Sequence, residues 1–358
     1  MFNHFEFHSE ISTKTGLLSN ILLFSDKCKE NAFNYLPLTF SFEYDLDKAI
    51  HILDSFIATF NTLELYKDSL STLNKKKAAM PINITTNGTL LKYSKCTMPL
   101  SHFAGYNLWI LKPSELNRGR GIHVFNNIEA MKNLIIDHIN EVKKYKSITS
   151  ASFVVQKYIE QPLLINGRKF DIRVWVLLTH THEFYLFREG YVRTSSVEFN
   201  INEDNLNDKF VHLTNNAIQK DSGSYGLYEN GNQLSFFDFR SYLKDVSKYE
   251  LDFDKDIFSE IKNVVKKSMY AVRKKLDSEN RKYTFEIFGY DFILDSDFNP
   301  WLIEVNTNPC LEESSDLLKM ILPRMLDDAF KLTIDQIFPS NTHTEYSIGG
   351  YDNTINMW

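Results

Sequence analysis

The chain has 358 residues, 43% of them hydrophobic and 14% aromatic, which suits two or three lobes with a sizeable core. Its formal net charge is −6, which gives no case for nucleic-acid binding, and its three widely spaced cysteines fit neither a disulfide framework nor a zinc site. No apolar run approaches the roughly 20 residues of a membrane span. We therefore expect a soluble intracellular protein without nucleic-acid or membrane partners.

The first hundred residues are predicted to form an N-terminal lobe, residues 1–100. Asn34–Phe42 is typical of a loop entering a strand, and Asp45–Lys67 carries apolar residues at helical spacing, which predicts a helix. The polar stretch Leu70–Lys95 is rich in Lys and Thr. We expect it to be a flexible connection or an ordered active-site loop.

Strands dominate the next region, residues 101–190, which is predicted to form a central lobe. A helix is predicted over Ile128–Lys144, between the second and third strands, because its apolar residues recur on one face. The predicted strands are Asn107–Lys112, Gly121–Phe125, Phe153–Tyr158, Phe170–Leu178 and Phe184–Phe187.

Residues 191–338 are predicted to form a C-terminal lobe, and residues 339–358, rich in Asn, Ser, Thr and Gly, a flexible tail. The lobe is expected to contain a polar loop, a β-hairpin and three helices. The pattern as a whole predicts an α+β fold, with antiparallel sheets and helices on their faces. The three helices are predicted at Phe236–Val246, Asp254–Asp277 and Glu312–Phe338.

The predicted hairpin carries the strongest functional signal. Its two apolar runs, Phe285–Leu294 and Trp301–Val305, contain one carboxylate each, Asp291 and Glu304. Asn306 shares a strand face with Glu304, because residues i and i+2 point the same way. Two carboxylates and an amide crowded together favour a hard cation between them, so the trio predicts a Mg²⁺ site. The alternative is an ordinary hairpin whose acids reach solvent.

A basic, glycine-rich segment follows the strand that ends near Lys112. Arg118-Gly119-Arg120-Gly121 precedes Ile122 and the next strand. Glycines let a backbone approach phosphates closely and the cations supply charge, so this segment is predicted to form a lid over a triphosphate. It lacks the sequence and the downstream helix of a P-loop. The alternative is a plain basic turn between two strands.

The segment Phe153–Glu160 runs from a strand into a connector. Such an edge can present backbone amide and carbonyl groups to an adenine ring, with Ile159 packing on the face of the ring. An ordinary core strand is an equally good interpretation of this segment alone.

Charged side chains alternate along the next strand. Lys169, Asp171 and Arg173 share one face, where burial without partners would be costly, so they are predicted to line a cleft that holds an anion. Arg173 and Arg193 can hold a carboxylate or a transferring phosphoryl group through bidentate contacts. The alternative is an intramolecular salt-bridge ladder. The nearby His212 is more often a structural residue than a catalytic one.

These elements together describe one reaction. Lysines and a glycine lid bind the phosphates, the trio binds Mg²⁺, and the arginines hold a carboxylate against the γ-phosphate. The product is an acyl phosphate that an amine can attack, and catalysis comes mainly from positioning and charge stabilisation.

The residues that carry this interpretation resemble the tubulin tyrosine ligase-like family, which has the ATP-grasp fold and attaches amino acids to tubulin tails. The resemblance covers nearly the whole chain, and its motifs are specific in their combination and order. It implies a nucleotide cleft enclosed by the sheets, ATP and Mg²⁺ as cofactors, and tubulin C-terminal tails and a free amino acid as substrates. It also implies a cytoplasmic location on the cytoskeleton, with the cilium or basal body as a further site. The motifs are NHF, YLPLTF, WILKP, NRGRGI, QKYIEQPLLINGRKFDIRVWVLL, REGYVRTSS, HLTNNAIQK and EIFGYDF…WLIEVNTNP.

Roles of site residues follow from the resemblance, position by position. Arg173 and Arg193, together with Lys169, are implied in catalysis through contacts with the substrate carboxylate and the acyl phosphate. Magnesium binding is implied for Asp291, Glu304 and Asn306. Nucleotide binding is implied for Lys112, Arg118, Gly119, Arg120, Gly121, Ile122, Gln156, Lys157, Ile159, Lys169, Asp171, Thr214 and Asn215.

The amino acid that is transferred is predicted from two motifs. REGYVRTSS and HLTNNAIQK resemble the tyrosine ligase branch, so tyrosine is the first expectation, and glycylases are similar around the second motif. Glutamylases carry a Tyr-Ser pair where this chain has Asn216 and Ala217, which weakens the glutamylase alternative. A non-catalytic microtubule-binding relative and a ligase for another peptide acceptor are also compatible with the fold. Acidic tails are expected to dock on the basic clusters Lys75–Lys77 and Arg273–Lys275.

Overall fold

A computed structural model of the chain describes residues 2–42, 46–67, 79–82, 96–114, 116, 118–144, 152–246, 251–339 and 355–358. The predicted docking cluster Lys75–Lys77 and most of Leu70–Lys95 lie outside these residues. Among the helices that the structure describes, none combines the length and the apolar character needed to cross a membrane.

The described strands form three antiparallel sheets. A four-stranded sheet has the order β1-β6-β4-β5, and β2 pairs with β3. In a six-stranded sheet the order is β10-β9-β8-β11-β12, and β7 pairs with β8. The predicted α+β arrangement of antiparallel sheets and helices is confirmed. The strands are β1 (Thr39–Phe42), β2 (Ala79–Ile82), β3 (Cys96–Pro99), β4 (Trp109–Pro113), β5 (His123–Phe125), β6 (Phe153–Lys157), β7 (Leu164–Ile165), β8 (Arg168–Leu178), β9 (Phe184–Glu198), β10 (Gln233–Ser235), β11 (Glu286–Leu294) and β12 (Pro300–Asn306).

The longer helices were largely predictable from apolar periodicity. The helices predicted over Ile128–Lys144 and Phe236–Val246 are found with these same bounds, and a π-helical turn, Phe253–Phe258, opens the next one. The α-helices are α1 (Ser9–Ser12), α2 (Lys14–Cys28), α3 (Leu46–Lys67), α4 (Ile128–Lys144), α5 (Lys209–His212), α6 (Asn216–Gln219), α7 (Phe236–Val246), α8 (Ser259–Leu276), α9 (Asp316–Leu332) and α10 (Ile334–Ile337).

The two faces of the six-stranded sheet have different partners. Along β8 the apolar side chains Phe170, Ile172 and Val174 join the main core, which also contains the buried residues of α8. Because successive strand residues point to opposite faces, Lys169, Asp171 and Arg173 emerge on the other side of the sheet. This alternation separates the core from the charged site.

The predicted hairpin is confirmed as β11 and β12. Asp291 and Glu304 are opposed in the register, and a β-bulge follows between Asp291 and Phe292. The turn between the strands is closed by Asp295, which is fully buried and accepts hydrogen bonds from Trp301 Nε1 (2.9 Å) and Ser101 Oγ (2.8 Å). The hairpin is therefore held in a fixed relation to the segment that precedes β4.

Several sequence-based expectations need correction. Helices α1 and α2 were not identified, and β9 is much longer than the predicted strand Phe184–Phe187. The division into lobes stays a prediction. The tail is not frayed at residues 355–358. The Trp358 ring packs against Phe187 in a tilted arrangement with ring centroids 5.1 Å apart, and Met357 N donates to buried Asp328 Oδ2 at 2.9 Å.

Candidate active site

Residues of both larger sheets line one cleft. The four-stranded sheet contributes Ile110, Lys112 and Gln156. Thr214 and Asn215 join the lining from the loop after α5, and the six-stranded sheet contributes a charged wall. The structure thus brings together side chains from strands that are far apart in sequence. The charged residues of this wall are Lys169, Asp171, Arg193, Asp291 and Glu304.

Two buried lysines lie in the cleft. Lys112 Nζ donates to Gln156 Oε1 at 2.7 Å, and Gln156 Nε2 in turn donates to Thr39 Oγ1 at 2.9 Å. Burial lowers the pKa of Lys112 to about 8, against the opposing effect of the Glu304 carboxylate. Burial, helped by the charge of Lys112, lowers the pKa of Lys169 to about 7. A bound anion would stabilise the charged form of both lysines and so offset the effect of burial on their pKa values.

His212 lines the cleft and is hydrogen-bonded at both ring nitrogens. Its Nδ1 lies 2.9 Å from Tyr158 Oη, and its Nε2 lies 3.0 Å from the carbonyl oxygen of Asn205. Burial, together with the charge of Lys169, lowers the pKa of His212 to about 4, so the ring is neutral near pH 7. Lys169 Nζ donates to Tyr158 Oη (2.8 Å) and to His212 O (2.9 Å). Tyr158 and His212 therefore orient the ammonium group of Lys169.

The end of β6 and the connector after it line the cleft through Lys157 and Ile159, and the Lys157 side chain is held by buried partners. Lys157 Nζ forms a fully buried ion pair with Glu160 Oε1 (2.6 Å) and donates to Leu108 O (2.7 Å). Glu160 also accepts from the backbone of Leu108 at 2.7 Å and of Ala104 at 2.7 Å. The ammonium group of Lys157 thus fixes the connector, and Ile159 lines the cleft.

The predicted lid is a tight turn at the edge of the cleft. Arg118, Gly119 and Gly121 all have positive φ, a conformation that favours glycine. A Cβ on Gly119 would lie 2.3 Å from Ile218 Cδ1, so the turn sits against the segment after α5. Arg118 and Arg120 are exposed, and Ile122 is the member of the segment that lines the cleft.

A buried network of carboxylates and guanidinium groups forms the far wall. Arg193 binds Asp171 through Nε–Oδ1 (2.6 Å) and Nη2–Oδ2 (2.9 Å), and Thr214 Oγ1 also donates to Asp171. Arg173 makes a bidentate pair with Asp291, whose Oδ2 lies 2.8 Å from Arg193 Nη2. Burial opposes ionisation of Asp291, but the two guanidinium groups dominate and hold its pKa well below the usual range. These charges therefore form the intramolecular salt-bridge ladder that was the alternative interpretation, and part of it lines the cleft. Binding of an anion to them stays a prediction.

The predicted metal trio converges on one point. Asn306 Nδ2 lies 3.1 Å from Glu304 Oε1 and 3.4 Å from Asp291 Oδ2. The oxygen and nitrogen of an amide can exchange places by rotation, so the Asn306 oxygen can face the same point. Among the described residues no group of three or more His, Cys, Asp or Glu is placed to hold a metal, so Asn306 would have to supply the third ligand. Two carboxylates and an amide oxygen fit the hard-oxygen preference of Mg²⁺.

One cation near this site, Lys14, was not predicted from the sequence. Lys14, the first residue of α2, donates from Nζ to Leu116 O at 3.1 Å. Burial lowers the pKa of Lys14, and the charge of Glu304 opposes that shift, while Lys14 itself lowers the pKa of Lys112. Nothing in the stretch Thr13–Thr15 distinguishes Lys14 from a surface lysine, so its proximity to the cleft emerges only from the packing of α2.

The chain is similar to known proteins over most of its length. The model of the tubulin-tyrosine ligase family matches residues 1–345. The chain is 35% identical over 295 residues to tubulin glycylase 3B of Tetrahymena thermophila, covering 81% of this chain and 23% of that protein. It is 34% identical over 260 residues to tubulin glycylase 3A of Drosophila melanogaster, covering 69% and 24%. It is 32% identical over 271 residues to the probable tubulin polyglutamylase TTLL9 of Mus musculus, covering 68% and 57%. The chain thus spans about a quarter of the two glycylases and under two thirds of the polyglutamylase.

Proposed function

Because the chain belongs to the tubulin-tyrosine ligase family, we propose that it is an ATP- and Mg²⁺-dependent carboxylate–amine ligase that attaches an amino acid to tubulin. The observation that carries the proposal is the shared cleft, which is lined by two buried lysines, the Arg193–Asp171 pair and the carboxylates of Asp291 and Glu304. Arg173 and Asn306 adjoin it through their hydrogen bonds to Asp291. A module that only bound microtubules would have no use for so many buried, partly compensated charges in one place. We propose the ATP-grasp arrangement for the two sheets that line this cleft.

The nucleotide is proposed to lie along the cleft with its phosphates at the lysine end. Lys112 and Lys169, with Lys14 nearby, supply the positive charge, and the Arg118–Gly121 turn covers the phosphates. The adenine ring is proposed to lie against the connector that contains Ile159, where apolar walls from Ile110, Ile293 and Ile303 are available. Gln156, Lys157, Asp171, Thr214 and Asn215 complete the proposed nucleotide contacts.

Magnesium is proposed to be held by Asp291, Glu304 and Asn306. The ion would neutralise charge on the nucleotide phosphates when bound. The trio also has a function of its own, since Asp291 orients Arg173 through a bidentate pair. A single carboxylate thereby links the metal position to the substrate position.

Arg173 and Arg193 are proposed to hold the carboxylate that becomes activated. A carboxylate oxygen attacks the γ-phosphorus of ATP, the bond to the bridging oxygen breaks, and ADP leaves with that electron pair. The acyl phosphate is then attacked by the amine nitrogen, inorganic phosphate leaves, and the nitrogen loses a proton as the amide forms. The guanidinium groups contribute by positioning and by stabilising the charge on the transferring oxygens.

The sequence motifs and the relatives favour different amino acids as the one that is transferred. The motifs around Asn216 and Ala217 favour tyrosine, which stays a prediction. The relatives named above are glycylases and a polyglutamylase, which supports glycine first and glutamate second. Glycine, tyrosine and glutamate are therefore the three candidates to be compared directly.

The acceptor is proposed to be an acidic tubulin tail, and the location is proposed to be the cytoskeleton, including cilia. Arg273–Lys275 lies on α8, which packs against the core face of the six-stranded sheet. The charged site lies on the opposite face, so this cluster is better placed to attract the body of tubulin than to guide a tail into the cleft. Surface attraction of this kind is screened beyond about 8 Å at physiological ionic strength.

The proposal is tested by measuring ADP release from ATP in the presence of Mg²⁺. Release should require the protein, tubulin and one of the three amino acids together. A rate that is the same with and without tubulin would mean that the phosphoryl group passes to water or to the free amino acid, and it would contradict ligation to tubulin. Normal binding to microtubules without any ATP turnover would favour a non-catalytic relative.

A further inference from the structure

We propose that Gly289 is a positioning residue for the acceptor carboxylate, because its missing side chain leaves a slot in which Arg173 is held. The inference rests on the proposed function, since it assumes that Arg173 binds the substrate. It assigns a specific physical role to a residue that carries no functional group.

The slot is formed by β11 and the segment that follows β12. Gly289 is opposed to Trp175 of β8 on one side and to Asn306 of β12 on the other. A Cβ on Gly289 would lie 3.0 Å from Pro309 Cβ, 3.2 Å from Arg173 Nη1 and 3.3 Å from Arg173 Cδ. Contacts this short require the neighbours to move by a few tenths of an ångström. The Arg173 side chain therefore crosses β11 directly over a position without a side chain.

Neither wall of the slot can move freely. Arg173 is fixed at its far end by the bidentate pair with Asp291, and it is buried. Pro309 is a rigid ring that immediately follows Asn308, a residue with φ of 51°. A methyl group at position 289 would thus displace the guanidinium group from Asp291 or displace the loop after the metal trio.

Position 289 requires glycine because there is no room for a side chain, and not because of its backbone conformation. Gly289 is not among the residues with positive φ, so another residue could adopt its backbone angles. Glycine in a strand interior weakens the strand. Its presence there often marks a place where another group approaches the backbone closely. The approaching group here is the side chain of Arg173.

The slot has a consequence for the reaction. Misplacement of a positioning group by about 1 Å can cost on the order of a hundredfold in rate. A shift of a few tenths of an ångström in Arg173 should therefore reduce kcat/KM for the acceptor by roughly tenfold. The binding of MgATP, which is proposed to rest on Lys112 and Lys169, should change little.

The experiment compares Gly289→Ala with Gly223→Ala, an exposed glycine whose added Cβ would meet nothing within 4 Å. We expect Gly289→Ala to remain folded, to bind MgATP normally and to lose roughly tenfold in acceptor kcat/KM, while Gly223→Ala keeps full turnover. Equal turnover in the two variants would overturn the inference. An equal loss of MgATP affinity and of acceptor turnover would also overturn it, because the substitution would then act through β12 and the proposed metal ligands.

A double-mutant cycle separates this inference from the proposed function. If Gly289 acts through Arg173, adding Gly289→Ala to Arg173→Lys should cause no further loss, whereas additive losses would contradict the slot. If Arg173→Lys alone has full activity, the assignment of Arg173 fails instead.

A compensating substitution provides a second test, which remains informative if Gly289→Ala alone does not fold. Pro309→Gly removes the Cβ that the new methyl group meets at the shortest distance. Gly289→Ala combined with Pro309→Gly should recover folding and part of the turnover, measured against Pro309→Gly alone. No recovery of either would count against the slot.

Discussion

The charge of Glu304 acts on Lys14, although the two residues lie near opposite ends of the chain. Lys14 begins α2 and Glu304 lies on β12, and the carboxylate offsets part of the pKa depression that burial imposes on the lysine. The N-terminal segment therefore contributes directly to the charge of the cleft. It brings a third cation close enough to lower the pKa of Lys112.

The first prediction concerns this cation. Lys14→Met removes the charge and retains most of the apolar stem, so ATP binding should weaken by about tenfold, or about 1.4 kcal/mol. Isothermal titration of the purified protein with ATP and Mg²⁺ measures the change. Lys27→Met, an exposed lysine on the same helix, should bind ATP as the unmodified protein does. Equal affinity in the two variants would place Lys14 outside the nucleotide site.

The second prediction concerns the metal trio. Glu304→Gln keeps the size of the side chain and removes its charge, so ligation should be abolished while the thermal unfolding midpoint stays close to that of the unmodified protein. Glu312→Gln, at an exposed position nearby, serves as the matched control and should be fully active. Substantial ligation by Glu304→Gln would contradict the proposed role of Glu304 as a magnesium ligand.

The third prediction concerns the glycine turn. Arg118 and Arg120 are exposed, so trypsin should cut after them. If the turn covers the triphosphate, ATP and Mg²⁺ should slow these cuts and leave cutting at exposed Lys220 unchanged. Mass spectrometry of the fragments over time distinguishes the sites. Cutting that is indifferent to nucleotide at all three positions would leave the segment as a plain turn.

The fourth prediction concerns pH. The pKa values of Lys169, about 7, and Lys112, about 8, are depressed by burial, and a bound triphosphate should raise both. Binding then takes up protons, so ATP affinity should fall as the pH rises from about 7.5 to about 9. Titration calorimetry in buffers of different ionisation enthalpy measures the uptake, and Lys169→Met should reduce it. Proton release on binding would contradict the assignment of these lysines.

The sequence predicted those parts of the site that lie on regular, alternating segments. Lys169, Asp171 and Arg173 share a strand face because the period of a strand is two, and the hairpin follows from two apolar runs around a short turn. The β-bulge in the hairpin register was not predicted. These positions could be grouped without coordinates. The roles of the grouped residues remain proposals.

The parts that could not be predicted depend on tertiary packing. Lys14 comes near the cleft only because α2 packs beside β12 and β6. Lys157 is in the expected segment, but the buried carboxylate of Glu160 holds its ammonium group, and no local pattern reveals that pair. The docking of Trp358 on Phe187 was missed because the polar composition before it suggested a frayed tail.

The central claim is that this chain joins an amino acid to tubulin at the expense of ATP. The most direct test is the intact mass of tubulin after incubation with the protein, ATP, Mg²⁺ and glycine, tyrosine or glutamate in separate reactions. We predict that tubulin gains the mass of one of these residues, only with ATP, and that Glu304→Gln abolishes the gain. Tubulin of unchanged mass in all three reactions, with the protein folded and ATP bound, would contradict the claim.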